Sequence, residues 1–333
     1  MIIYGCPEMD EGIRLSDYGI HTVITGNTSV VPRLKEEGYR VYLACGAFSL
    51  GSNRGDESFH ARDINGSPQV WFGSGCPNDK RLISSSLEKV SKLCETPDIE
   101  GIIIDGARFS SLCSGPRNSF YTCFCGNCER EAERLSFDFE KIKRGAKSLY
   151  DKAPDKDAIE EWLRFRSACV TGYLGEFSRI VRSRGLEAGA FLFSPSIAPL
   201  VGQNYRDLSP LLDIVSPMVY RAYKQKEGPA CLNHELAAAA DEFNFVSLRE
   251  LSDLFGVDLT VFCSPADILS GLSTETAVSE CERARDLSTD SRAMPILDLN
   301  DSEIKSIISM LRERDFKEIS LFLYNKDYIS NLL

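Results

Sequence analysis

Short apolar runs alternate with longer amphipathic stretches along this chain. The short runs are rich in β-branched and aromatic residues, and they are continuous rather than alternating, which is typical of parallel strands buried on both faces. Eight runs are predicted to be strands: Ile2–Tyr4, Thr22–Thr25, Tyr39–Cys45, Gly101–Asp105, Ala188–Phe193, Ile214–Tyr220, Ala293–Asp298 and Ile319–Tyr324. A ninth run, Asp258–Phe262, is ambiguous and is expected in an excursion before the seventh strand.

The stretches between the strands carry apolar residues near helical spacing. Four of them are predicted to be helices: Ser29–Glu37, Leu82–Cys94, Ala158–Arg184 and Glu303–Arg314. Alternating strands and helices imply a parallel sheet with right-handed crossovers. Eight such units in 333 residues favour closure into a (β/α)8 TIM barrel. No linker, repeat or low-complexity tract divides the chain, so we predict one domain over residues 1–333.

Two connections are too long to be simple turns. Residues 46–80 join the third strand to its helix, and residues 106–128 follow the fourth strand. Long connections in a compact domain are usually functional. Both leave the carboxyl ends of strands, the face on which barrel enzymes build their sites.

The charge balance narrows the choice of partners. The formal net charge is −11, with 49 acidic and 38 basic residues. This balance argues against nucleic acid as the main ligand, since nucleic-acid binding requires a basic face, and it disfavours an anionic membrane surface. No apolar run reaches the roughly 18 residues of a membrane span, and Met1–Tyr4 is too short for the apolar core of a signal peptide. We therefore expect a cytoplasmic protein that acts on a small molecule or a carbohydrate.

A cysteine cluster lies in the second long connection. Cys123, Cys125 and Cys128 place three thiols within six residues, and clustered thiols in a reducing compartment more often bind metal than form disulfides. The spacing predicts one structural zinc ion held by four thiolates. Cys113 of the same loop is the expected fourth ligand, and Cys76 of the preceding long loop is its rival. The alternative interpretation is a set of reduced thiols or a disulfide.

Three acidic residues are candidates for catalysis. Asp105 ends an apolar strand, where packing does not explain a carboxylate; Arg108 is either its structural partner or the group that orients it for catalysis. Asp298 ends the seventh strand, and it is either a second catalytic acid or part of the following helix cap. Glu235 stands at a helix start, as a further carboxylate or as a complement to the helix dipole.

Other residues are expected at the same face of the barrel as candidates for substrate binding. Each alone has a plain alternative, because a lone histidine in a loop is commonly solvated and a buried aromatic residue commonly belongs to the core. The candidates are Glu8, Asn27, His60, Trp71, Arg108, Met218, Tyr220 and Tyr324.

Several segments together resemble a known group of proteins. They are Gly101–Phe109, the Cys123–Cys128 loop, Phe191–Tyr205 and Ile214–Tyr220. The chain resembles uncharacterised glycoside-hydrolase-like TIM-barrel proteins over most of residues 1–330. The resemblance implies that Asp105 takes the place of the strand-four acid, with Arg108 as its neighbour and Tyr220 as a pocket residue of strand six.

Two functional hypotheses follow. The first is a glycoside hydrolase or related carbohydrate-active enzyme with two carboxyl groups at the barrel mouth. In it Asp105 is kept ionised by Arg108, and Asp298, or else Glu235, is the proton donor. A separation of roughly 5–5.5 Å between the two carboxyls would indicate retention, and roughly 6.5–9.5 Å inversion. The alternative is a non-catalytic carbohydrate- or metabolite-binding barrel whose zinc loop is a structural lid.

Overall fold

The computed structural model describes residues 1–5, 14–224, 230–329 and 332. The strands are β1 (Ile2–Tyr4), β2 (Thr22–Thr25), β3 (Arg40–Gly46), β4 (Ala61–Arg62), β5 (Pro68–Gln69), β6 (Gly101–Asp105), β7 (Glu187–Phe193), β8 (Ile214–Met218), β9 (Arg292–Ala293), β10 (Ile296–Asp298) and β11 (Ser320–Phe322). The α-helices are α1 (Val31–Glu36), α2 (Lys80–Leu93), α3 (Arg117–Phe120), α4 (Gly126–Arg134), α5 (Phe139–Tyr150), α6 (Lys156–Arg182), α7 (Tyr205–Leu208), α8 (Leu232–Glu242), α9 (Leu248–Phe255), α10 (Pro265–Leu269), α11 (Thr274–Leu287), α12 (Ile304–Glu313) and α13 (Lys326–Ile329).

The strands close into an eight-stranded parallel barrel, as predicted. In the described part of the chain the order around the barrel is β10, β11, β1, β2, β3, β6, β7 and β8. Pairing of Ile296 with Met218 returns β10 to β8 and completes the ring. The three central isoleucines of β6, Ile102 to Ile104, are fully buried because the strand is covered on both faces. One continuous hydrophobic core runs through the barrel and its helices.

The predicted strand bounds hold to within one residue for five of the eight strands. The eighth strand, predicted over Ile319–Tyr324, is shorter (Ser320–Phe322), and the sixth and seventh also differ. The seventh strand is split into β9 and β10 on either side of Met294 and Pro295; proline lacks the N–H that a ladder needs. The sixth strand ends at Met218, and Tyr220 continues it only through an isolated bridge to Cys231.

The run 258–262 and the two long connections have the following structure. The ambiguous run 258–262 is not a strand but turn and irregular structure. The connection over residues 46–80 contains the antiparallel β4–β5 hairpin, and the connection after β6 contains α3 and leads into α4. Among the described residues, no helix combines the length and apolar character that a membrane span requires.

Candidate functional site

The loops that follow β3 and β6 are hydrogen-bonded to each other beside the barrel mouth. The carbonyl oxygen of Arg62 accepts the amide of Phe124 (2.8 Å), and the amide of Arg62 donates to Cys123 Sγ (3.3 Å). Asp63 and Thr122 form an isolated antiparallel bridge. The two connections that the sequence marked as functional therefore make one joint structure.

Four cysteine thiols meet where these loops join. Cys76 Sγ lies 3.4 Å from Cys125 Sγ and 3.6 Å from both Cys123 Sγ and Cys128 Sγ. All four sulfur atoms lie within 4.8 Å of one another. Four thiolates around one tetrahedral zinc ion, at about 2.3 Å each, have sulfur atoms about 3.8 Å apart. The cluster therefore fits a single tetrahedral ion that prefers thiolate ligands.

The fourth member of this cluster is Cys76 and not Cys113. Cys113 lies instead near Glu235 and Cys231. Burial raises the pKa of its thiol, and the charges of these two residues raise it further. Cys76 is close because its loop follows β3, which is the neighbour of β6 in the sheet. The expectation of Cys113 as fourth ligand is thus corrected, and its rival takes the position.

Asn78 binds the sulfur atoms of the cluster. Its amide N–H donates to Cys76 Sγ (3.4 Å), and its Nδ2 donates to Cys128 Sγ and to Cys169 Sγ (3.3 Å each). Hydrogen bonds to sulfur stabilise the thiolate, the form in which cysteine binds a metal. A cavity of about 940 Å³ borders Cys125.

Asp105 lies at the carboxyl end of β6 and keeps part of its surface exposed at the mouth. Burial raises the pKa of its carboxyl, and the charge of Arg108 and the amide of Gly106 offset this only in part. The guanidinium of Arg108 donates to the carbonyl of Phe109 (3.0 Å) and to Ser114 Oγ (2.9 Å). The expectation that Arg108 holds the pKa of Asp105 low is therefore wrong, because desolvation outweighs the charge of Arg108.

Asp298 lies across the mouth at the end of β10. Burial raises the pKa of its carboxyl to about 6, although the amide of Asn300 donates to Oδ1 (2.9 Å). The phenol of Tyr220 is buried, and the charges of both Asp105 and Asp298 add to the rise in its pKa. Both carboxyl groups therefore lie near Tyr220, which is the residue expected to contribute to the pocket.

Glu235, in the first turn of α8, ends a chain of hydrogen bonds. Arg108 donates to Ser114 Oγ (2.9 Å), the Ser114 and Ser111 hydroxyls are 2.5 Å apart, and Ser111 Oγ donates to Glu235 Oε1 (2.5 Å). Glu235 Oε2 is buried and has no hydrogen-bond partner among the described residues. Burial raises the pKa of Glu235 to about 7.

Aromatic rings pack in a row near Asp105 and Asp298. Tyr4 stacks on Phe322 with ring centroids 5.6 Å apart, and Phe322 stacks on Tyr220 at 5.3 Å. Tyr223 extends the row beyond Tyr220 at 6.0 Å. Burial raises the pKa of Tyr4, and the charge of Asp105 raises it further. The row of rings therefore lies close to Asp105.

Two predicted binding residues have local structural roles. Asn27 is exposed, and its Oδ1 accepts hydrogen bonds from the amide (3.0 Å) and hydroxyl (2.8 Å) of Ser29 at a helix start. His60 Nε2 lies 3.0 Å from the carbonyl oxygen of Arg54 in its own loop.

The remaining predicted binding residues differ in position. Trp71, in the connection after β3, is buried in the core, and Met218 is buried at the end of β8. Tyr324 is buried just beyond β11. Glu8 lies outside the described residues.

Three of the residues that build this region were not singled out in the sequence. Ser111 and Ser114 carry the hydrogen-bond chain, and the polar run after the β6 aspartate is the signal that marks them. Arg166 is fully buried on α6. The spacing Trp162, Arg166, Cys169 follows the apolar stripe of that helix, so an arginine on a buried face was visible in the sequence.

Solved structures share this fold. The chain aligns over 97% of its length with 54% of a β-galactosidase from the psychrophilic Marinomonas ef1, at 12% identity and a TM-score of 0.58. It aligns over 99% of its length with 94% of the PgaB (BpsB) glycoside hydrolase domain from Bordetella bronchiseptica, at 12% identity and a TM-score of 0.59. The chain therefore spans about half of that β-galactosidase. No family model matches the sequence, and no curated protein matches it either.

Proposed function

We propose that this chain is a carbohydrate-active enzyme of the glycoside hydrolase type. The observation that carries the proposal is the pair of carboxyl groups of Asp105 and Asp298. They end two strands of one barrel, and the charges of both raise the pKa of the same buried phenol, Tyr220. Two carboxyls at the mouth of a barrel are what glycoside cleavage needs. The likeness of the barrel to glycoside hydrolase structures supports the same proposal at the level of fold.

The two acids take different roles. Asp298 is the proton donor, since a carboxyl with a pKa of about 6 is still partly protonated near neutral pH. Asp105 is the nucleophile or base, the role that remains when Asp298 donates the proton, and its carboxylate would stabilise the positive charge that the transition state develops on the sugar. Glu235, with a pKa of about 7, is the alternative donor. The aromatic row gives an apolar surface on which a sugar ring can stack.

The test is hydrolysis of a panel of aryl glycosides by wild-type protein and by single variants. Asp105→Asn should lower kcat/KM by about 10²- to 10⁴-fold for every substrate that the wild type cleaves. Loss of the proton donor should be severe for glycosides with poor leaving groups and mild for dinitrophenyl glycosides, which leave without a proton. Comparing Asp298→Asn with Glu235→Gln on these two substrate classes identifies the donor.

An exposed acid of α8 supplies the control. Asp241→Asn should leave all rates unchanged, because its side chain lies on the surface. If the wild type binds sugars but cleaves none of the panel, the hydrolase proposal fails and the carbohydrate-binding barrel replaces it.

We also propose that the four clustered cysteines hold one structural zinc ion. Four protein thiolates leave no open position for a water molecule, so the ion would stabilise the joined loops rather than react. Metal analysis of protein purified without added metal should give about one equivalent of zinc. Cys76→Ser should lose this zinc, whereas Cys113→Ser should keep it, because Cys113 lies outside the cluster. Equal zinc in both variants would refute the assignment.

A further inference from the structure

Arg166 is a buried cation on α6, with no solvent-exposed surface. Its guanidinium donates to backbone carbonyl oxygens of Phe120 (2.7 Å), Thr122 (3.2 Å) and Leu200. These acceptors are neutral, and Nε has no partner among the described residues. A buried guanidinium needs a negative charge nearby, because carbonyl groups alone do not offset its lost hydration.

No carboxylate among the described residues forms an ion pair with Arg166. Burial lowers the pKa of Arg166, and negative charge on the cluster thiols Cys123 and Cys128 would oppose this. The ring of Trp162, with its centroid 4.4 Å from the guanidinium carbon, adds a favourable contact but no net charge.

The same face of α6 borders the cysteine cluster. Cys169 follows Arg166 by one helical turn, and the Asn78 side-chain amide joins Cys169 Sγ to Cys128 Sγ with two contacts of 3.3 Å. The carbonyl of Thr122 that accepts from Arg166 precedes Cys123 directly in the chain. Arg166 is therefore next to the cluster through both the helix and the loop.

Charge arithmetic connects the two features. Four thiolates around one divalent ion leave a net charge of −2 in a site where three of the four cysteines are buried. Such a charge is costly unless a cation or hydrogen-bond donors lie close to it. We propose that Arg166 is the counter-charge of the thiolate metal site, and that its carbonyl contacts link metal occupancy to the order of the loop after β6.

The link to that loop follows from the acceptors. Arg166 Nη2 also lies 3.4 Å from the carbonyl oxygen of Ser110. The next residue, Ser111, donates to Glu235. These carbonyl groups belong to the loop that leads to Cys123, so Arg166 contacts this loop directly beside the cluster. The proposal rests on the metal site proposed above and is independent of the hydrolase chemistry.

The first test measures zinc affinity by competition with a chromophoric chelator. Arg166→Met keeps the side-chain length but removes the charge, and it should weaken zinc binding about 10- to 100-fold, as loss of a group beside the ligands typically does. Arg166→Lys retains the charge and should lie nearer to the wild type. Arg164→Met, an exposed position two residues earlier on α6, is the matched control and should bind like the wild type.

The outcomes separate the two proposals. If the wild type binds no zinc, the metal site fails, and this inference fails with it. If the wild type binds zinc and Arg166→Met binds it within twofold of the wild type, only the role of Arg166 is overturned.

A second test needs no variant, so it stands even if Arg166→Met does not fold. Amide hydrogen exchange of the wild type is compared with zinc bound and after chelation. Residues 108–122 should exchange faster without zinc, while α11, whose main contacts are with α12, α7, β8 and β9, should be unchanged. Equal exchange of residues 108–122 in the two states would overturn the link between metal and loop.

Discussion

Replacing Glu235 by glutamine should change how the stability of the protein depends on pH. Burial raises the pKa of this carboxyl from 4.5 to about 7. The folded state therefore binds its proton more tightly than the unfolded state does. The stabilisation is fully present below pH 4.5 and is lost as the pH rises through 7. With one pKa unit equal to about 1.36 kcal/mol, the loss for this residue between pH 5 and pH 8 is about 2.5 kcal/mol.

Glu235→Gln removes the titrating group but keeps an oxygen to accept the Ser111 hydroxyl. The free energy of unfolding of the variant, measured by denaturant titration with zinc in excess, should therefore fall less than that of the wild type between these pH values. The difference corresponds to about 3–4 °C in Tm for a chain of this size. Any cost of burying the new amide group is the same at both pH values and cancels.

Glu242→Gln is the matched control on the same helix. Its carboxyl bonds with Arg117 and Tyr121, which hold its pKa below the usual value despite burial, so Glu242 stays ionised from pH 5 to 8. This variant should be destabilised by a similar amount at both pH values. If Glu235→Gln and the wild type lose stability in parallel from pH 5 to 8, Glu235 does not carry the raised pKa.

Two further predictions concern other parts of the barrel. Asp298→Asn should also flatten the pH dependence, by about 1–1.5 kcal/mol between pH 5 and 8, because burial raises the pKa of Asp298 to about 6 and stability is lost as the pH rises through that value; denaturant titration measures it. Gly145→Ala should destabilise the α5–α6 pair by about 1–3 kcal/mol, since its new Cβ would lie 2.0 Å from a backbone oxygen of α6, and thermal unfolding should show this. Gly172→Ala has open space around its Cβ and should be neutral or stabilising, so an equal loss in both variants would contradict the packing argument.

The barrel could be predicted from the sequence because each strand is a continuous apolar run. Both faces of such a strand are buried, so composition alone marks it, as in β6. The sequence also contained the cause of the break in the seventh strand, because Pro295 has no N–H to donate to the sheet. The apolar residues on both sides of Pro295 led to the prediction of one continuous strand.

The site was less predictable because its parts come from loops that are distant in sequence. Sequence proximity favoured Cys113 as fourth ligand, whereas the pairing of β3 with β6 brings Cys76 to the cluster. Likewise, the short spacing of Asp105 and Arg108 indicated an ion pair, but spacing carries no information about desolvation. Burial decides the direction of the pKa of Asp105, and burial is a property of the folded chain.

A metal ion bound by the cysteine cluster would affect when the chain acquires structure during its synthesis. Its last member, Cys128, precedes β7, β8 and the other strands that close the barrel. At ribosomal rates of about 5 to 20 residues per second, residues 129–333 need roughly 10 to 40 s more to be made. An ion bound in that interval would cross-link the loops after β3 and β6 while only four barrel strands, β1, β2, β3 and β6, have been made. In the nascent chain the metal would then hold these loops together, and the later strands would pair with the free edge of β6.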